Sequence, residues 1–100
     1  MAVLVTTTVN ANYLVTTLDE AILVDATGGP IIITIIAPPA IGKRYHVKDS
    51  KGVTATPGGT NKIRLVTADS AKIDNATFYD LTVNKQSVTI HTDGVDWHVL

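Results

Sequence analysis

The chain has 100 residues, eight Lys or Arg against nine Asp or Glu, and a formal net charge of −1. That length makes one domain with one modest core. The charge lacks the clustered cations a nucleic-acid backbone demands, and without cysteine neither disulfides nor thiolate metal sites can form. Charged residues make up 17% of the chain, below the roughly 25% usual in soluble domains. Hydrophobic residues make up 45%, a load that a small domain hides most easily by covering part of its surface with a partner.

Valine, isoleucine and threonine supply more than a third of the residues. These β-branched side chains suit a pleated sheet and lose rotamer freedom in a helix. Taken in chain order, the predicted strands lie at about 2–8, 12–17, 20–26, 31–36, 43–49, 62–67, 71–74, 79–83, 86–92 and 95–100. Turn signals separate them, among them Asn10-Ala-Asn12, Gly28-Gly29-Pro30, Asp74-Asn75 and Asp93-Gly94. Such spacing predicts an all-β fold, a single small antiparallel β-sandwich or jelly-roll-like domain.

The first apolar run, Met1 to Val5, lacks the basic start of a signal peptide and is cut short by three threonines. Thr17-x-x-Glu20 has the form of a helix capping box, with Leu14, Leu18 and Ile22 at a period of four. Gly28-Gly29-Pro30 and the β-prone Ile22-Leu23-Val24 weigh against it, so strand-turn-strand is expected there. In the 31–36 strand the isoleucines leave almost no polar face. Such a strand is covered on both sides. One side is the core, and the other is expected to meet a second subunit. The longest apolar stretch, Pro30 to Ile41, is too short and too proline-rich to span a bilayer, so no membrane partner is expected.

The last two runs flank Asp93-Gly94, a pair suited to a two-residue type I′ hairpin. Opposed residues would then be Ile90 with Trp97, Val88 with Val99, His91 with Asp96 and Thr89 with His98. This register sorts apolar from polar side chains, and Trp97 is expected in the core.

Catalytic and ligand-binding signatures are absent from the sequence. His46, His91 and His98 form no metal-ligand spacing. The expected His91–Asp96 pair has no nucleophile turn beside it. The acids lie mostly at turns, where Asp bonds its own backbone. Tyr13, Tyr45, Phe78, Tyr79 and Trp97 could line a sugar-binding patch, but aromatic residues in a small β domain more often fill the core. No enzyme activity, cofactor or metal is expected.

The stretches ILVDATGGPIIITIIAPP, GKRYHVKDSKG, IRLVTADSAKIDNA and SVTIHTDGVDWHVL together resemble small all-β domains of tailed-bacteriophage virion proteins. The shared pattern is an Asp-x-x-Gly-Gly turn, an isoleucine-rich strand ending in Pro, a Gly-Lys/Arg strand ending Val-Lys-Asp, an Ile-Asp turn and a closing Asp-Gly-x-x-Trp. It covers residues 20–100. Asn75 stands where Gly is common, and Ile35-Ile36 where Thr-Leu is usual. The resemblance implies a virion structural protein, often trimeric. It sets residues 1–19 apart as a β-prone N-terminal arm before a β-sandwich domain at 20–100. An arm without a coiled-coil heptad suits a capsid cement or decoration protein that adds a strand to a neighbour such as the major capsid protein. A receptor-binding knob of a head or tail fibre is the alternative, and a carbohydrate-binding β module the second. The expected interface residues are Val3, Leu4 and Val5 in the arm and Ile32 and Ile36 on the apolar strand.

Overall fold

The computed structural model describes residues 5–36, 42–52, 62–69 and 71–100. Nine strands form among them: β1 (Thr6–Val9), β2 (Tyr13–Leu14), β3 (Ala21–Val24), β4 (Ile31–Ile35), β5 (Arg44–Asp49), β6 (Ile63–Thr67), β7 (Phe78–Leu81), β8 (Ser87–Thr92) and β9 (Trp97–Val99). No helix occurs among the described residues. The segment with the capping-box pattern is the expected strand-turn-strand.

The strands build a five-stranded sheet, ordered β1-β3-β5-β8-β9, and a four-stranded sheet, ordered β2-β4-β6-β7. All-β architecture therefore holds, but the expected antiparallel arrangement does not. β1 with β3, β3 with β5, β2 with β4 and β4 with β6 pair in parallel. Only β5 with β8, β6 with β7 and β8 with β9 are antiparallel. From β1 to β6 the chain alternates sheets at every strand. A parallel neighbour requires a crossover, and here the crossover is a strand of the opposite sheet. The result is a flattened coil of three turns, closed by antiparallel β7, β8 and β9. Its turns widen in the larger sheet from 15 residues (Thr6 to Ala21) to 25 (Ala21 to His46).

Side-chain alternation fills the space between the sheets. Ile31, Ile33 and Ile35 are buried, as are Ile22 and Val24, Tyr45 and Val47, Ile63 and Leu65, and Val88 and Ile90. Tyr45 and Trp97 are the largest fully buried side chains, with ring centroids 5.5 Å apart and planes tilted by 43°. The indole N–H of Trp97 is buried without a hydrogen-bond partner among the described residues. An unsatisfied donor costs about 1–3 kcal/mol, so Trp97 is held by apolar packing.

The closing hairpin differs from expectation in register but not in face. Ile90 faces Val99, His91 faces His98 and Thr92 faces Trp97, a slip of two from the expected pairing. Because strand side chains alternate with a period of two, the inward set is unchanged. The two-residue loop is replaced by a longer one. Asp93 Oδ1 accepts the Val95 and Asp96 N–H groups at 2.9 Å each, and Thr92 Oγ1 accepts the Gly94 N–H at 3.0 Å. The type I′ geometry lies instead at Asp74 and Asn75, with φ of 49° and 64°. Ile73 and Ala76 bridge that turn with two 2.9 Å backbone hydrogen bonds. The expected 71–74 strand reduces to isolated bridges at Ile73, one to Ala76 and one, parallel, to Trp97.

Residues 5–19, expected as an arm outside the domain, are woven into both sheets. β1 is the edge of one and β2 the edge of the other. Asp19, 4% exposed, fastens them. Its carboxylate accepts the Thr7 and Tyr13 hydroxyls at 2.8 Å each and the Thr16 N–H at 2.8 Å. Lys43 Nζ donates to the Asp19 carbonyl at 2.9 Å. Burial by itself would raise the carboxyl's pKa. The hydrogen bonds from Thr16, Thr7 and Tyr13 outweigh it and hold the pKa below the ordinary Asp value.

Two outcomes follow for stability. Trp97→Ala is expected to cost about 3–5 kcal/mol in chemical denaturation, whereas Val95→Ala, at a residue 72% exposed, is expected to stay within about 0.5 kcal/mol. Equal losses would show that the hairpin face is misassigned. Asp19→Asn keeps the shape but weakens the carboxylate's hydrogen bonds, and is expected to cost about 1–3 kcal/mol at pH 7. Because the folded-state pKa of Asp19 is depressed, its contribution is present above the unfolded value near 3.8 and is lost as pH falls through the folded value. The gap between wild type and Asp19→Asn in denaturation midpoints should therefore narrow below pH 4. A gap independent of pH would show that the charge of Asp19 does not fasten the strands.

Candidate interaction surfaces

The alternation that fills the core also fixes what each sheet shows outward. On the four-stranded sheet two rows cross the strands. One runs Ile32, Arg64, Asp80, and the next Leu14, Thr34, Val66, Phe78. Ile32 is 41% exposed, Phe78 43% and Leu14 56%, a concentration of large apolar side chains on one face. Two of their charged companions neutralise each other, and Lys62 lies near enough to act on the same Asp80. Arg64 Nε and Nη2 donate to the two oxygens of Asp80 at 2.7 and 2.9 Å. The Arg64 guanidinium also lies over the Phe78 ring, 4.0 Å from its centroid. The Arg64 hydrogen bonds hold the Asp80 carboxyl below the usual carboxylate range. Asp80 is thus committed to an ion pair, not to the turn expected of it.

The expected interface residues do not come together on one surface. Ile32 points outward from β4, and its N–H donates to Asn12 Oδ1 at 2.8 Å. Ile36 is half-buried against the core. Val5 stands at the edge of the other sheet, 52% exposed. Its carbonyl accepts the Ala21 N–H, and its N–H donates to Glu20 Oε1. Val3 and Leu4 lie outside the described residues. Leu14, Val66 and Phe78, which share the outward face with Ile32, were not among the expected residues. Their signal was an outward position beside Ile32, which becomes visible only when strand neighbours are known.

The five-stranded sheet presents a different face. Arg44, His46 and Lys48 point outward from β5, Thr89 and His91 from β8, and His98 from β9. Arg44 Nε–H donates to His91 Nδ1 at 3.0 Å, and His46 Nδ1 lies 2.8 Å from Thr89 Oγ1. The expected His91–Asp96 pair does not form, since the register sets His91 against His98 and Asp96 Oδ1 accepts the Lys72 N–H. The His–Asp contact is instead His98 Nε2–H to Asp93 Oδ2, 3.0 Å. This bond raises the His98 pKa. The Asp93 carboxyl is held far below its usual range, first by the Asp96 N–H and then by His98 and the Val95 N–H.

The aromatic residues divide. Tyr45 and Trp97 are core, Tyr13 and Tyr79 are half-buried against it, and Phe78 faces outward. They form no shared patch. Among the described residues no cleft or cavity is enclosed, and no three His, Asp or Glu side chains converge as metal ligands would. What the geometry offers chemically is two broad faces, one largely apolar with an internal ion pair, the other polar, with Arg44, Lys48 and three histidines along it and the carboxylates Asp74, Asp93 and Asp96 at one corner. No protein-family model and no curated protein matches the chain.

Proposed function

We propose that the chain is a structural protein of a bacteriophage virion, a capsid cement or decoration protein that assembles as a homotrimer and stabilises the shell by non-covalent contacts. The observation that carries the assembly reading is the outward face of the four-stranded sheet. Leu14, Ile32, Val66 and Phe78 share it, and its Arg64 is already bonded bidentately to Asp80. Burying a paired Arg64–Asp80 costs less than burying either charge alone, and the apolar side chains around it gain by leaving water. A second and third copy of the same surface supply the apolar cover, and closed symmetry limits growth. The threefold order and the virion setting rest on the resemblance of residues 20–100 to phage β domains. Contact with the shell falls to the edge of the larger sheet, where Val5 and β1 stand.

Light scattering on the purified chain is expected to give about three times its 10.6 kDa mass. Ile32→Asp places a charge on the proposed contact and is expected to yield a monomer with an unchanged β-sheet circular dichroism spectrum. A wild-type monomer sinks the assembly reading, and an Ile32→Asp trimer moves the contact to another face. A cryo-electron map of the particle tests the setting. Copies spread over the shell support decoration, while copies confined to the tail make the protein a fibre or spike component.

A further inference from the structure

Asp93-Gly94 is the one Asp-Gly pair of the chain, which holds no Asn-Gly. Such a pair carries its own reaction. The glycine nitrogen can attack Cγ of the aspartate, because no Cβ shields its approach. The N–Cγ bond forms as the C–OH bond breaks. The amide proton and the hydroxyl leave together as water, and a five-membered succinimide closes. Water then opens the ring. Cleavage between the nitrogen and the side-chain carbonyl restores aspartate. Cleavage between the nitrogen and the backbone carbonyl leaves isoaspartate, whose main chain runs through the former side chain and is one methylene longer. The hydroxyl departs only from a protonated carboxyl.

The loop between β8 and β9 holds the two reacting groups apart. Asp93 Oδ1 reaches past Gly94 to accept the Val95 and Asp96 N–H groups at 2.9 Å each, and Oδ2 accepts His98 Nε2–H at 3.0 Å. The Gly94 N–H turns the other way and donates to Thr92 Oγ1 at 3.0 Å. Thr92 is buried, and its hydroxyl is fixed in turn by donating to the Asp96 carbonyl at 2.8 Å. The nitrogen is thus committed backward along the chain and the carboxylate forward. Three donors also keep that carboxylate ionised, whereas ring closure needs the neutral acid. Water is at hand for ring opening, since Asp93, Gly94 and Val95 are all exposed.

We infer that Asp93-Gly94 is a self-modification site, protected while the β8–β9 loop is closed and converted to isoaspartate when the loop opens. An exposed loop tip opens locally at less cost than the whole domain unfolds. Opening frees the Gly94 nitrogen and the Asp93 carboxyl in one event, because the same few residues hold both. The product cannot rebuild the native loop. In isoaspartate the former Cγ is an amide carbon of the main chain, so the oxygens that capped Val95, Asp96 and His98 are no longer a free carboxylate. The remaining carboxylate hangs from Cα. The loop also gains one backbone atom between Thr92 and Trp97, which are strand partners. Trp97 is fully buried against Tyr45, so β9 cannot slide to absorb the extra length without moving the indole. A chain that has opened here is permanently marked and weakened. This inference does not depend on the virion reading.

The full chain is incubated at body temperature in mildly acid buffer, folded or unfolded in guanidinium, and its C-terminal tryptic peptide is scored for isoaspartate by mass spectrometry. Isoaspartate at position 93 is expected in both samples, forming about tenfold or more slowly in the folded one, the ratio that one charge-assisted hydrogen bond supplies. His98→Gln removes the partner of Oδ2, and Thr92→Val removes that of the Gly94 N–H. Each is expected to speed conversion of the folded chain about threefold or more. Should Thr92→Val unfold, His98→Gln decides alone, at a half-exposed side chain. Ile63→Val, in the core of the other sheet, is the reference for general weakening. At an equal loss of denaturation midpoint it is expected to speed conversion less than His98→Gln does. The separated isoaspartyl chain is expected to unfold at lower denaturant than the unmodified chain. Equal rates in folded and unfolded samples overturn the protection, and no isoaspartate in the unfolded sample overturns the site. An equal effect of Ile63→Val and His98→Gln places the gate in global unfolding and overturns the role of the loop. An unchanged midpoint for the isoaspartyl chain overturns the weakening.

Discussion

Parallel pairing of alternate strands is the constraint on which the rest of this molecule depends. Once β1, β3 and β5 lie side by side in one direction, the chain must leave their sheet and return between each. It spends every excursion making β2, β4 and β6 of the facing sheet. Two layers and one core follow directly, because each strand's inward residues meet those of the strand before and after it. The antiparallel strands β7, β8 and β9 are then closures, laid along the last turn of the coil on both sheets.

Asp19 is the local counterpart of that constraint. The first turn is its weakest, since β2 has two residues and β1 four. Apolar contact alone is small there. A buried carboxylate with three donors from Thr7, Tyr13 and Thr16 supplies the missing definition. Asp49 acts similarly at the far end of β5, accepting the Gly52 and Lys85 N–H groups and so joining two turns distant in sequence. Fully satisfied buried carboxylates of this kind specify one arrangement more than they add net stability.

The sequence disclosed the strands better than their partners. Ile31 to Ile35 and Ser87 to Thr92 alternate clearly, and their inward sets were legible. Direction was not, because parallel and antiparallel strands share the same period of two. The Asp93-Gly94 signal marked a turn but not its length. That was decided by the Asp93 carboxylate capturing two amides beyond it. The N-terminal segment read correctly as β-prone, yet its place in the domain depended on Asp19, whose donors come from several separate positions. Of the two candidate faces, Ile32 was legible as an outward isoleucine. The gathering of Arg44 and three histidines was not, since it requires knowing that β5, β8 and β9 are neighbours.

The coil also sets the order in which the molecule can come together. Strand partners lie far apart along the chain: Tyr13 meets Ile33, Ile31 meets Ile63, and Arg44 meets His91. Few of these contacts reward a short loop closure, so the search for the native topology is entropically steep and its rate is that of slow, high-contact-order β proteins. The β8–β9 hairpin is the local exception, available as an early nucleus. Trp97 sits in that hairpin and finds Tyr45 only after β5 has docked on β8. The single indole of the chain therefore changes its surroundings at the step that joins the local hairpin to the long-range coil.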